Sequence, residues 1–378
     1  MTPKLRVLFI ARYRDITMDR KLLLMAQEGD LLIRHVRPQE WHDELIRVEQ
    51  ATTASASLQH VAMPMMGPPS DPHRALYRSL DFGMHRFRPH LIHAEEEPDS
   101  LAALQIALAR RLFAPRAPLL LHTWQNIDRP RRWPVRLVTW LTLRAADGVL
   151  CANREAAAIL RRRAYPGLAP VLPAIGVDTQ TFVPCPDRPR GPRFVVGYVG
   201  RLAAEKGIDT LIEAVRRLGP EVELTLIGAG PQQPVLEAQA ADLAGRVQFH
   251  PPAPPAQIAR LMCQFDTLAL PSRTTPVWKE QFGRVLVEAM ACQVPVVGSD
   301  SGAIPEVVGD AGLIFPEGDV ATLAECLRRL MGSPALRLEL AARGYARVQQ
   351  RYTQEHIAAQ TVALYRQMMR CTPATCPS

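Results

Sequence analysis

Residues 184–193 read PCPDRPRGPR, with proline at positions 184, 186, 189 and 192. Proline fixes φ and offers no N–H, so neither a helix interior nor a central strand can run through such a stretch. It reads as an interdomain linker. A chain of 378 residues has room for two domains of ordinary size, here 1–183 and 194–353, with a last helix over 354–370. On both sides of the linker, short apolar runs alternate with segments of helical spacing. Strands are expected over 5–10, 31–36, 90–94, 118–121 and 148–152, and again over 194–200, 224–230, 248–252, 267–271 and 295–298. Helices are expected over 19–28, 99–112, 134–146, 155–163, 208–218, 321–331 and 335–350. Strands followed by helices in this way read as Rossmann-like units. Residues 49–80, rich in Ala, Ser, Met and Pro, carry no readable pattern.

The totals narrow the class. An apolar content of 47% with 22% charged residues belongs to a globular chain. Seven cysteines are scattered, odd in number and lack any Cys-x-x-Cys, which argues for a reducing compartment and against structural zinc. The opening MTPKLRVLFIARYRD has too short an apolar run for a signal peptide, and no run reaches the roughly 20 residues of a membrane-spanning helix. The reading is a cytoplasmic protein, soluble or peripheral on the inner face of the cell membrane. Net charge is +8, and residues 100–163 hold twelve arginines against Asp128, Asp147 and Glu155. That segment alone is more positive than the whole chain.

The most informative stretch is 274–308, TTPVWKEQFGRVLVEAMACQVPVVGSDSGAIPEVV. Val285, Leu286, Ala289 and Met290 have helical spacing, which sets Glu280 in the loop before a helix and Glu288 in its second turn. The amides of Gly283, Arg284, Val285 and Leu286 would then form an anion site beside Glu280. Carboxylate and anion site together suit a ligand with hydroxyls and phosphates, such as a nucleotide sugar. By itself, Glu-x7-Glu is more readily read as an amphipathic helix with two solvated acids.

Glu-x7-Glu with an internal Phe282-Gly283, followed by EAMACQVPVVGSDSGAIPE, resembles the donor-site signature of the retaining glycosyltransferases of family 4. The resemblance is dense over 194–350, thinner over 90–183 and poor over 11–89. It implies an α/β fold of the GT-B type, with two facing Rossmann-like domains, a cleft between them and a C-terminal helix crossing back. It implies a hexose moved from a nucleotide-sugar donor (UDP- or GDP-linked) to a glycan, lipid-linked or small-molecule acceptor, with retention at the anomeric carbon. Arg201 and Lys206, in the loop opened by Gly200, would hold the diphosphate. Glu280 would bind sugar hydroxyls and Glu288 the ribose, with Phe282, Gly283, Arg284, Val285 and Leu286 shaping the donor turn. His122 matches a cleft histidine, though a lone histidine is as often structural. Glu95, Glu96 and Glu97, at a strand's carboxyl end, are acceptor-site candidates. No Asp-x-Asp occurs, so no metal or other cofactor is expected.

Two departures stand out. The first strand is followed by ARYRDITMDR, with no glycine before Gly29, and Gln293 stands where the resemblance has glycine. GAGPQ at 228–232 resembles a dinucleotide fingerprint but has Gln233 at its third glycine position. Other GT-B enzymes (a nucleotide-sugar epimerase or a phosphorylase), an NAD-dependent dehydrogenase and a non-catalytic subunit that binds sugar nucleotides stay open. Arg132, Arg136, Trp140 and Arg144 fall on one helical face, with Leu137, Val138 and Leu141 toward the core. That face suits an anionic membrane surface, as in phosphatidylinositol mannosyltransferases of the family, or is simply a solvated charged face. No nucleic-acid module accompanies the charge.

Overall fold

The computed structural model describes residues 4–12, 16–39, 42–43, 46–47, 55–68, 71, 73–185 and 191–370. The chain divides into two compact units, Met1–Gly176 with Gln354–Ser378, and Val177–Thr353. The seam thus falls ahead of the proline-rich linker, whose residues 186–190 lie outside the described ones. The Val177 N–H donates to the Tyr352 carbonyl at 2.7 Å, and Val177 bridges to Thr353.

In the first unit the order begins β1 (Leu5–Ile10), α1 (Ile16–Ala26), β2 (Leu31–Pro38) and a small antiparallel pair, β3 (His42–Asp43) with β4 (Ile46–Arg47). Then come β5 (Leu58–Met63), a second such pair β6 (Met65–Met66) and β7 (Leu76–Tyr77), α2 (Met84–Phe87) and β8 (Leu91–Ala94). The unit continues through α3 (Leu101–Phe113), β9 (Leu119–Thr123), α4 (Trp133–Ala145), β10 (Gly148–Cys151) and α5 (Arg154–Arg162). Six strands make one parallel sheet in the order β10-β9-β8-β1-β2-β5. Strand alternation sends Leu8, Ile10, Ile92, Leu119 and Leu121 to one core. Val7, Phe9, Leu91 and Leu120 go to the other. With both faces covered, the strands read as continuous apolar runs. Ser100 and Asn153 cap α3 and α5 by accepting the amides of Ala103 and Ala156. The last helix, α13 (Gln354–Arg370), belongs to this unit. Its Val362, Tyr365 and Met368 enter the second of these cores, and the Tyr365 hydroxyl lies 2.6 Å from His93 Nδ1.

The second unit repeats the plan. It contains β11 (Phe194–Val199), a 3-10 turn (Ala204–Lys206), α6 (Ile208–Arg217), β12 (Val222–Ile227), α7 (Gln233–Gln239), β13 (Val247–His250) and α8 (Pro255–Met262). It goes on through β14 (Thr267–Leu270), α9 (Arg284–Ala291), β15 (Val296–Ser299), α10 (Ile304–Val308), β16 (Gly312–Phe315), α11 (Val320–Gly332) and α12 (Pro334–Arg351). The parallel order is β13-β12-β11-β14-β15-β16. Both sheets therefore have the doubly wound 3-2-1-4-5-6 order. Its reversal, between β1 and β8 and between β11 and β14, opens the crevice where such sheets take ligands.

Three expectations change. Within 49–80, the sequence forms edge strand β5, in which only Leu58 and Met63 are buried; an edge strand needs too few apolar residues to announce itself. Helices α7, α8 and α10 are short enough to escape a periodicity reading. The cysteines are not all unpaired: Cys185 and Cys263 form a disulfide with their Cα atoms 5.6 Å apart. Spacing could not reveal a pair 78 residues apart, and the inference of a reducing compartment from cysteine usage loses its basis. Cys151, Cys292 and Cys326 are buried thiols, while Cys371 and Cys376 lie outside the described residues. Among the described residues no helix is long and apolar enough to cross a membrane.

Candidate functional site

In the second unit, the loops after β11 and β14 meet at the strand-order reversal. After β11, the Tyr198 hydroxyl donates to the Arg201 carbonyl at 2.9 Å, and Gly207 (φ +63°) turns the chain where a Cβ would strike the Pro271 carbonyl. The loop after β14 bonds back, with the Arg273 N–H donating to the Glu205 carbonyl at 2.8 Å. Lys206 and Glu280 are thereby brought together. Lys206 Nζ donates to Glu280 Oε2 at 2.7 Å, the Ser272 hydroxyl to the same oxygen at 2.9 Å, and Nζ lies 4.5 Å from the centre of the Trp278 ring. Glu280 is buried, and its backbone is held from behind. The Ala303 N–H donates to its carbonyl at 2.9 Å, and Gly302 approaches so closely that a Cβ would stand 2.1 Å from that oxygen. The SDSG turn of the signature is thus a brace for Glu280. Arg201, half exposed, pairs with Glu205.

Helix α9 starts from Gly283, whose φ of 74° demands glycine. The Leu286 amide is not available to an anion: it donates to the Gly283 carbonyl at 2.9 Å. That corrects the expected set of four amides to those of Gly283, Arg284 and Val285. Phe282 is buried and meets the Tyr352 ring edge-on at 5.7 Å, a packing contact. Glu288 is also buried. Burial raises its pKa, and the Arg284 guanidinium, 2.8 Å away, opposes the shift. The Gly-Ala-Gly turn has a structural explanation too. A Cβ on Gly228 would stand 1.9 Å from the Gly200 carbonyl and one on Gly230 2.3 Å from that of Leu202. These glycines let the two loops lie against each other, and the dinucleotide reading loses its motif.

Gln293 has φ +56°, the left-handed backbone that favours glycine. Gln293→Gly is expected to stabilise by about 1 kcal/mol, raising the melting temperature of this unit by roughly 2–4 °C. A lower melting temperature would refute it.

In the first unit, the three glutamates after β8 do not form a solvated acidic loop. Glu95 accepts from the buried Lys21 ammonium at 2.6 Å. Glu96 pairs with Arg12 at 2.7 Å beside the Tyr77 hydroxyl. Glu97 accepts from the Thr123 hydroxyl and the Trp124 amide, both at 2.7 Å, and burial raises its pKa to about 7. His122 is 2% exposed, and burial, with Lys21 nearby, lowers its pKa to about 3. It is a neutral imidazole packed edge-on against Trp124 at 5.0 Å.

Helix α4 overturns the expected packing. Leu137 and Leu141 do not face the core: they are 46% and 40% exposed, beside Trp133 at 74% and Trp140 at 54%. Thr142 is the helix's one buried residue. Arg144 stacks over Trp140 at 5.1 Å. With residues 128–131 and 163–166, the helix lines a groove of about 1050 Å³.

Residues 193–333 match the family model of glycosyl transferases group 1. The second unit belongs to glycosyl transferases group 1. Alpha-maltose-1-phosphate synthase of Mycolicibacterium smegmatis is 29% identical over 235 residues, covering 54% of this chain and 59% of that protein. A GDP-mannose-dependent alpha-(1-6)-phosphatidylinositol monomannoside mannosyltransferase of the same species is 36% identical over 176 residues, 42% of this chain and 46% of that one. The chain spans about half the length of the curated relatives it matches. In structure the likeness runs end to end. Sucrose-phosphate synthase from Thermosynechococcus elongatus superposes with a TM-score of 0.74 at 22% identity, covering 97% of this chain and 99% of that one. Anabaena HepE in complex with UDP gives 0.72 at 20%, covering 96% and 100%. The fold is GT-B, built from two Rossmann-like units.

Within the group 1 unit, sequence reasoning found Lys206, Glu280 and Glu288. It missed Ser272, Trp278 and the Tyr198–Gly207 brace. Trp278, two residues before Glu280, was the one visible signal.

Proposed function

We propose that this protein is a retaining glycosyltransferase of family 4 that moves a hexose from a nucleotide-sugar donor to an acceptor. The observation that carries the reading is the Lys206–Glu280–Ser272 network at the strand-order reversal of the second unit. An ammonium has three donors, so Lys206 can hold Glu280 and still donate a hydrogen bond to a phosphate oxygen. Arg201 supplies a second cation to the diphosphate, and the amides of Gly283, Arg284 and Val285 supply dipoles. Glu280 accepts from sugar hydroxyls, and Glu288, tied to Arg284, from those of the ribose. The acceptor hydroxyl attacks the anomeric carbon as the bond to phosphate breaks. Its proton passes to the departing phosphate oxygen on the same face, giving retention. Fixed cations stabilise the leaving group, so no step requires a metal. His122, buried and neutral, acts by positioning, and Glu95, Glu96 and Glu97 shape the acceptor side through their internal pairs.

For the acceptor, a lipid-linked sugar or polyol at an anionic membrane surface suits α4, and two curated relatives act on phosphatidylinositol mannosides by name. Exposed Trp133, Leu137, Trp140 and Leu141 among arginines are the composition of an interfacial helix. Each cation near an anionic surface contributes about 1 kcal/mol. The location that goes with this reading is the inner face of the cell membrane.

Incubation with UDP- and GDP-hexoses tests the chemistry: release of free nucleoside diphosphate, increased by a lipid-linked acceptor, is expected. Binding of donor without turnover would instead identify a non-catalytic subunit. Co-sedimentation tests the surface. The wild type should bind anionic vesicles at low salt, and replacing Arg132, Arg136 and Arg144 by serine, or Trp133 and Trp140 by serine, should abolish binding. Failure of the wild type to sediment would point to a soluble acceptor.

A further inference from the structure

The first unit contains a second cluster of chemically capable side chains, on the β2–β5 side of the sheet. His35 of β2 and His60 of β5 are register partners in the parallel ladder, so their side chains leave the sheet on the same face. Their Nδ1 atoms lie 3.1 Å apart. From α1, the Asp19 carboxylate brings Oδ1 to 3.7 Å from His35 Nδ1. One ligand atom from each of the three lies within 4.8 Å of the others. Asp19 and His35 are almost wholly buried, at 1% and 0% exposure, while His60 is half-buried. Arg37 stands on the other side of the carboxylate, 3.4 Å from Oδ2, while Oδ1 faces the His35 imidazole.

We propose that Asp19, His35 and His60 form a binding site for one divalent transition-metal ion of the zinc type. Tetrahedral zinc with ligands at roughly 2.0–2.2 Å separates neighbouring ligand atoms by about 3.3–3.5 Å. The observed 3.1 and 3.7 Å bracket that spacing. Two imidazoles and a carboxylate select zinc, cobalt or nickel over magnesium and calcium, which take oxygen ligands. The half-buried edge at His60 admits a water as fourth ligand. Three elements distant in sequence would thereby be fastened together: the first helix, an inner strand and the edge strand β5. The ion would be structural, holding the edge strand of which only Leu58 and Met63 are buried.

The test uses tag-free full-length protein treated with chelator, then titrated calorimetrically with zinc and, separately, with magnesium. The wild type should take up one zinc per chain and no magnesium, with a higher melting temperature when loaded. Cobalt should give the intense visible absorption of a tetrahedral site. His60→Gln, at a half-buried position, and Asp19→Asn should each weaken zinc by at least about tenfold, since each removes one of three donors. Circular dichroism establishes that the variants are folded. Absence of stoichiometric zinc uptake by the wild type overturns the site, as does undiminished uptake by both variants. If either variant unfolds, the cobalt spectrum of the wild type decides: weak octahedral bands reject the proposal.

Discussion

Lys206→Ala should lower kcat/KM by roughly 10- to 150-fold through one lost charge-assisted contact, at about 1.5–3 kcal/mol, and by more through its effect on Glu280. The ammonium is 17% exposed and the carboxylate 10%, so the pair sits largely out of solvent, where charge is weakly screened. Removing the ammonium takes from Glu280 the cation that orients Oε2, while the Ser272 hydroxyl still donates to that oxygen. Two losses then compound: phosphate stabilisation and the aim of the sugar-binding carboxylate. Lys206→Arg keeps the charge but not the compact three-donor geometry, and should recover only part of the activity. Arg201→Ala removes a half-exposed cation already shared with Glu205, and its effect should be smaller. Titration with free UDP and GDP, beside turnover, separates the contributions. Near-wild-type kinetics in Lys206→Ala would take the diphosphate grip out of the mechanism, whatever the fate of Arg201.

The largest expected stability effect lies in the first unit. Glu95→Leu should destabilise by about 3–5 kcal/mol, the usual result of stranding one partner of a buried ion pair. For a unit of this size that lowers the melting temperature by on the order of 10 °C. Lys21 Nζ, on a side chain 3% exposed, would retain the Ala174 carbonyl at 2.8 Å but lose its carboxylate. Its charge also acts on His93 and His122, whose pKa values it depresses along with burial, so the ammonium sits among groups that cannot share its charge. The double variant Lys21→Met/Glu95→Leu removes both ions and should recover most of the loss, because apolar replacement of a buried pair is often neutral. Thermal unfolding of the single and double variants checks this. A single variant as stable as wild type would show that water reaches the pair.

Local chemistry made much of this protein legible in its sequence. Apolar runs with helical segments between them marked both Rossmann-like units. Gly283 and Glu288 took the places their spacing assigned, at the start and in the second turn of α9. Even the strained backbone at Gln293 was foreseeable, because a helix end commonly turns left-handed one residue past its cap. These features depend on neighbours a few residues apart, and sequence records such neighbours directly. What tertiary structure alone decided depends on distances between remote residues. The Lys206–Glu280 pair spans 74 positions, Lys21 and Glu95 likewise 74, and Cys185 and Cys263 are 78 apart. Three adjacent glutamates looked alike in sequence but found three different partners, because a strand end sends successive side chains in different directions. Helix α4 shows the same limit. Its leucines have the spacing of a core face, yet whether such a face is buried is settled by what packs against it, and for Leu137 and Leu141 nothing does so fully.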